Sequence, residues 1–276
     1  MATYPGDLLS DIALLKLLAD EGDLISLDRF QAQDLIVESK PDQSPVTDAD
    51  LAVENKLRAI LELERPKDRI IGEEFGSPAE IASGSRYWVI DPIDGTKNFL
   101  RGVPIWATLI ALVHRDSRGV DRVISGMVSA PALARRWYAA EGFGAFAEVH
   151  GGPAVQIKVS GVKSLDDASI SFSDLTGWGD RKEPYLALLD HLWRVRGIGD
   201  FWSHMLVAEG SVDIAAEPSL ALWDMAAVSL IVEEAGGRFS DLENQRGPFG
   251  KSGISTNGHL HQIFLDSLSS RSLGSK

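Results

Sequence analysis

Residues 88–99 read WVIDPIDGTKNF, and the organisation of the chain can be worked out from them in both directions. The apolar run at their start spells a buried strand that delivers Asp91 to its C-terminal end. Pro92 fixes a turn, Asp94 follows three residues after Asp91, and Gly95 lets the backbone approach a ligand closely. Thr96 then opens a short helix. The two carboxylates converge with the carbonyl of Ile93 between them, an oxygen set of the kind that hard cations such as Mg2+ take. The amides of Gly95 and Thr96, at a helix start, suit a phosphate. Taken alone, the segment fits an Asx-turn followed by a type I turn equally well, so its flanks decide between the two.

Upstream, RIIGEEFG (69–76) is a short strand running into Glu73 and Glu74, a pair whose simplest reading is a solvated strand end. KPDQSPVTDAD (40–50) is a loop that ends in a helix start. Thr47 serves as N-cap, Asp50 takes the third helical position, and Val53, Leu57, Ile60 and Leu61 line one face up to Arg65-Pro66. A first helix begins near Asp7, with Leu8, Ile12, Leu15 and Ala19 in register. Downstream, VPIWATLIALV (103–113) is about half the ~20 residues of a membrane-spanning helix and reads as a strand buried on both faces. The chain stays β-rich to about Phe146. Beyond it, strands (SISFS, RVRGIG, SVDIAAE, GRFSD) alternate with helices (EPYLALLDHLWR, FWSHMLVAEG, WDMAAVSLIVEEAGG). The expectation is an α+β half, 1–150, that carries most candidate metal ligands, and an α/β half, 151–276. No Pro/Ser-rich linker separates them, so they share an interface, and the polar tail SLSSRSLGSK frays.

Composition narrows the function. A length of 276 residues, 44% of them apolar and 24% charged, suits a soluble protein with a substantial core. The absence of cysteine removes disulfides, thiolate metal sites and a thiol nucleophile. With 27 Lys+Arg against 40 Asp+Glu, the net charge of −13 argues against nucleic acid as a partner. The acidic N-terminus has no basic, then apolar, leader, which points to the cytoplasm. Among the many acids, Asp224 stands out in ALWDMAAVSLIVEEAGG, at the first turn of an apolar helix, where the helix dipole alone would favour it. Glu217, in AAEPS, ends a strand.

T-D-A-D at 47–50, GEE, WVIDPIDGTKNF and WDMAAVSLIVEEAGG together resemble, in order and rough spacing, the inositol monophosphatase family of Mg2+-dependent, lithium-sensitive sugar-phosphate phosphatases. The resemblance covers nearly the whole chain and implies a layered αβαβα sandwich, α/β (α+β) in class, assembled as a homodimer. It also assigns roles. Glu73, Asp91 and the carbonyl of Ile93 match ligands of one Mg2+. Asp91, Asp94 and Asp224 match those of a second, and a third, weak Mg2+ near Glu73 is compatible. Thr96 and Glu73 match the pair that orients and deprotonates the attacking water, while Asp50 matches a more distant acid supporting the metal waters. Glu74 receives no ligand role. Two Mg2+ cancel the four carboxylates and leave open positions for phosphate oxygens.

The alcohol side is read from residues 194–224. GDFWSHMLVAEG, SKPDQSPVTDAD and NFLRGVPIWA resemble the branch of the superfamily that acts on histidinol phosphate, the alternative being a phosphatase of inositol-1-phosphate or of several small esters. That ester carries an ammonium group and an imidazole, which an anionic wall of Asp200 and Glu217 would complement. The competing reading has Asp200 capping the helix that begins at Phe201 and Glu217 paired with Arg196; Arg196 also stands as a candidate at the phosphate border. Trp106 and Trp178 are candidates by position for the imidazole, and Lys40 lies in a loop resembling one that approaches the site in relatives. The six histidines read as surface or packing residues.

Overall fold

The computed structural model describes residues 6–41, 43–76 and 80–269, so the polar tail expected to fray lies outside the described residues from position 270 on. Helix α1 (Leu8–Arg29) starts where Asp7 accepts hydrogen bonds from the amides of Leu9 and Ser10. Strands β1 (Val37–Ser39) and β2 (Pro45–Thr47) pair antiparallel, and β2 lies within the segment 40–50 whose turn residues predict only a loop. Three-residue strands are too short to display a period of two. Helix α2 (Asp48–Glu64) is capped by Thr47 as expected, and it buries Val53, Leu57 and Leu61 while Ile60 is half-buried.

Next come β3 (Arg69–Gly72), β4 (Arg86–Asp94), the short helix α3 (Thr96–Leu100), β5 (Ala107–Arg115), β6 (Asp121–Ala130), β7 (Arg135–Ala140), β8 (Gly144–Val149) and β9 (Val155–Ile157). The strands form a seven-stranded sheet in chain order, with β3 parallel to β4 and every later neighbour antiparallel. Trp88, Ile90, Ile110 and Leu112 face α1 and α2, whereas Tyr87, Val89, Leu109 and Ala111 face the opposite way. The run at 107–113 is thus buried on both faces, as its unbroken apolarity predicts.

The remainder is β10 (Ser169–Phe172), α4 (Lys182–Leu189), β11 (Arg194–Gly197), α5 (Asp200–Ala208), β12 (Ile214–Glu217), α6 (Leu222–Glu234), β13 (Arg238–Ser240), β14 (Gly253–Thr256) and α7 (His261–Ser269). Its five strands run β11-β10-β12-β14-β13. Three points depart from the sequence expectation. The sheet is mixed, because β14 pairs antiparallel with both β12 and β13. Neither β14 nor α7 was anticipated. Helix α4 stops at Leu189, since Tyr185 and Leu188 already fill its core contacts and the chain then turns back to β11 with Trp193 exposed.

Ile170, Ile214, Ala216 and Ile254 face α4 and α7, while Ala215 and Phe239 face α5 and α6. The order of layers is therefore α1/α2, seven-stranded sheet, α5/α6, five-stranded sheet, α4/α7. This is the αβαβα sandwich. Helix α6 can occupy the middle because every residue from Met225 to Val232 is buried, an apolar surface all round. Among the described residues, no helix is long and apolar enough to cross a membrane.

Candidate active site

The segment that opened the sequence reading makes a β-bulge rather than a plain turn. Asp91 sits opposite Leu109 and Asp94 opposite Ala107, so β4 spends three steps where β5 spends two. In a regular strand, side chains three apart point to opposite faces, and the extra residue restores them to the same side. Pro92 suits the bulge because it has no N–H to offer the ladder, and its carbonyl accepts from the Thr108 hydroxyl at 2.8 Å. Gly95 follows with φ +87, and a Cβ there would stand 3.0 Å from the carbonyl oxygen of Ile105. Ile93, two residues before it, is anchored in a buried cluster with Ala49, Phe99 and Trp106.

Helix starts bring the other acids. Asp224, third residue of α6, accepts from the amide of Ala221 at 2.7 Å. Asp50 of α2 accepts from the Thr47 amide at 2.8 Å and from the Thr47 hydroxyl at 2.5 Å, all through Oδ2. Carboxylate oxygens of Asp91, Asp94 and Asp224 lie within 4.8 Å of one another. Glu73 lines the same cleft, of about 670 Å3, with Gly95, Thr96, Asp200 and Asp224. Thr96 donates its hydroxyl to the Ile93 carbonyl at 3.0 Å.

Charge repulsion dominates here. Burial first, then the charges of Glu73, Asp94 and Asp224, hold the Asp91 carboxyl well above the usual carboxylate range. Burial, followed by Asp200 and Asp224, does the same to Asp94, and burial pushes Asp50 and Asp224 up to about 6. Each like pair at about 4 Å costs roughly 4 kcal/mol at an effective dielectric near 20. Lys40 supplies one compensating charge, donating to Glu73 at 2.6 Å and to the buried Glu74 at 2.7 Å. Burial disfavours its ammonium, yet the hydrogen bonds and negative charges of Glu73 and Glu74 together outweigh burial and raise its pKa. Oδ1 of Asp91 and Oδ1 of Asp50 are buried without a hydrogen-bond partner. Oxygen-only donors, mutual repulsion and unpartnered lone pairs together fit a hard divalent cation.

On the alcohol side, both competing readings fail, and so do the roles suggested for Arg196, Trp106 and Trp178. Asp200 does not cap α5: the amide of Phe201 donates to Asp94 at 2.7 Å, which ties the bulge to that helix. Asp200 instead accepts from Asn98 Nδ2 at 3.1 Å, and burial raises its pKa. Glu217 does not pair with Arg196. It is buried, accepts from the Ser173 amide at 2.9 Å and from the Ser173 hydroxyl, and burial lifts it to about 7. Arg196 is exposed, donates to the carbonyl of Val195, and does not line the cleft. Trp106 is fully enclosed by its cluster, and Trp178, 4% exposed, stacks on Tyr185 at 3.7 Å, so neither ring offers a free face to an imidazole. His204 and His261 are core residues bonded to Ser255 and to Ser240 and Thr256. Asn98 and Ser173 were not foreseen. Asn98 lies inside the quoted motif, while Ser173 meets Glu217 only because β10 and β12 are neighbours, which no sequence spacing reveals.

A five-layered fold with one buried and two half-buried carboxylates gathered at a bulge and a helix start matches the class of metal-dependent phosphoric monoester hydrolases. The chain belongs to the inositol monophosphatase family, whose model matches residues 11–271. A histidinol-phosphatase of Streptomyces coelicolor is 50% identical over 267 residues, covering 96% of this chain and 99% of its own. A histidinol-phosphatase of Mycobacterium tuberculosis is 51% identical over 260 residues, 94% and 97% of the two chains. In three dimensions, the extragenic suppressor protein SuhB of Bartonella henselae superposes with a TM-score of 0.83 at 27% identity, over 95% of this chain and 100% of that one.

Proposed function

We propose that this protein hydrolyses L-histidinol phosphate to L-histidinol and phosphate in histidine biosynthesis, as a cytoplasmic homodimer that uses Mg2+. The observation that supports the reaction is the cluster of Asp91, Asp94 and Asp224, in which one buried Asp91 oxygen has no hydrogen-bond partner. Two relatives at 50% and 51% identity over nearly the full chain support the substrate. Glu73, Asp91 and the Ile93 carbonyl would hold one cation, and Asp91, Asp94 and Asp224 a second. Bound there, the cations supply Lewis-acid polarisation of phosphate oxygens and make water a stronger acid.

The chain's own groups do the rest. The amides of Gly95 and Thr96 bind phosphate oxygens. The Thr96 hydroxyl orients the attacking water, and a Glu73 carboxylate oxygen accepts its proton. Asp50 holds the far side of the cluster from its helix start. Asp200, which lines the cleft, receives the ammonium of the substrate and is fixed by Asn98; Glu217 lies behind Ser173 and holds that lining residue in place. In this division of labour, residues 1–150 carry most metal ligands, and residues 151–276 carry Asp224 and the wall facing the alcohol. The test is product analysis. Purified protein with Mg2+ should release phosphate and histidinol in equal amounts from L-histidinol phosphate, stop with chelator, and resume when Mg2+ is restored. Turnover that persists undiminished in chelator would refute the scheme.

A further inference from the structure

Helix α2 buries a second carboxylate one turn beyond Asp50. Glu54 is 0% exposed, and nothing in the reaction above uses it. Its oxygens sit inside the turn GEEFG at 72–76. Oε2 accepts from the amide of Glu74 at 2.8 Å, and Oε1 accepts from the amide of Phe75 at 3.3 Å. Arg58, four residues along the helix, donates Nε to Oε1 at 2.7 Å and Nη2 to the carbonyl of Gly76 at 3.1 Å. The turn closes on itself, with the amides and carbonyls of Gly72 and Gly76 exchanging hydrogen bonds of 3.1 Å. The amide of Glu73 reaches the Ile90 carbonyl, beside Asp91, at 3.2 Å. Gly72 has no side chain for a concrete reason: a Cβ there would fall on the Glu54 carboxylate itself.

A buried charge is costly unless fully hydrogen-bonded, and a solvent-facing pair of the i, i+4 kind would have needed no such burial. The site spends that cost on one short turn, the turn that carries Glu73. We infer that Glu54 is a positioning residue: by filling the 72–76 turn from below, it fixes the backbone from which Glu73 reaches the acidic cluster. Helix α2 thereby serves the site twice, presenting Asp50 directly and Glu73 through Glu54 and Arg58. This rests on the reading of Glu73 as a metal ligand.

The outer partners of a metal ligand typically control affinity by about 10–100-fold. The experiment is a titration of the full-length protein with Mn2+ alone, followed by electron paramagnetic resonance, together with hydrogen exchange at the amides of Glu74 and Phe75. Glu54→Ala should weaken Mn2+ binding at least tenfold and expose both amides to exchange. Glu54→Gln, which keeps an acceptor for the Glu74 amide, should recover most of the affinity. Gly72→Ala approaches the same contact from the other side and should weaken binding likewise, so the inference stands testable even if Glu54→Ala does not fold. Wild-type affinity in Gly72→Ala, or in a folded Glu54→Ala, would overturn it. Failure of the reading beneath it has a separate signature: wild type and Glu73→Gln would bind Mn2+ equally.

Discussion

Asp200 sits at φ +53, in the left-handed region that aspartate tolerates better than most residues, and Asn98 fixes its carboxylate toward the cleft. Asp200→Asn keeps the shape and removes the charge. We expect kcat/KM for L-histidinol phosphate to fall at least tenfold while p-nitrophenyl phosphate, which carries no cation, changes little; equal losses on the two esters would make the acid structural. At the cluster, Asp94→Asn and Asp224→Asn should each abolish turnover with the fold intact, since an amide oxygen can still accept from Phe201 or Ala221. Circular dichroism alongside phosphate release checks this, and near-normal activity in either variant would contradict the assigned roles. The acids of the cluster were legible in the sequence because Asp91 and Asp94 share one motif and Asp224 marks another. Ser173 was not, because its partner Glu217 is brought to it by strand order alone.

Among the elements, α2 shows how local rules and the site share one helix. Thr47 caps it, and the same hydroxyl donates to Asp50. Thr47→Ala should destabilise the protein by about 1 kcal/mol, the usual worth of such a cap, lowering Tm by about 2–4 °C. An unchanged Tm in calorimetry would show that the cap is redundant. Long elements with a clear period or an uninterrupted apolar run were readable: α1 from Asp7, α2 from Thr47, β5, and α6 up to its glycine stop. Apart from the nine-residue helix α7, what escaped was short or decided by pairing. β1, β2 and β9 have three residues each, too few for a pattern, and β14 makes the small sheet mixed through neighbours far away in sequence. The bulge at Asp91–Asp94 was visible only as a proline turn; its parity change needs the register of β5.

For the whole molecule, the net charge of −13 argued against nucleic acid and sat awkwardly with a phosphate ester. The cluster resolves part of that tension, because its charge is properly counted with a divalent cation in place. Without one, the sign of the pH dependence follows. Burial raises Glu217 to about 7 and Asp50 to about 6, whereas unfolded carboxyls titrate near 4. The folded chain therefore holds more protons than the unfolded chain between those values, and stability falls as pH rises through them. In chelator, Tm should be higher at pH 5 than at pH 7.5, and the rise in Tm on adding Mg2+ should be larger at pH 7.5. A metal-free Tm that increases over this range would contradict the electrostatic account.

The most direct test compares kcat/KM for L-histidinol phosphate and inositol-1-phosphate on one preparation at saturating Mg2+. The account predicts a strong preference, at least a hundredfold, for histidinol phosphate; comparable efficiency on both esters would contradict it.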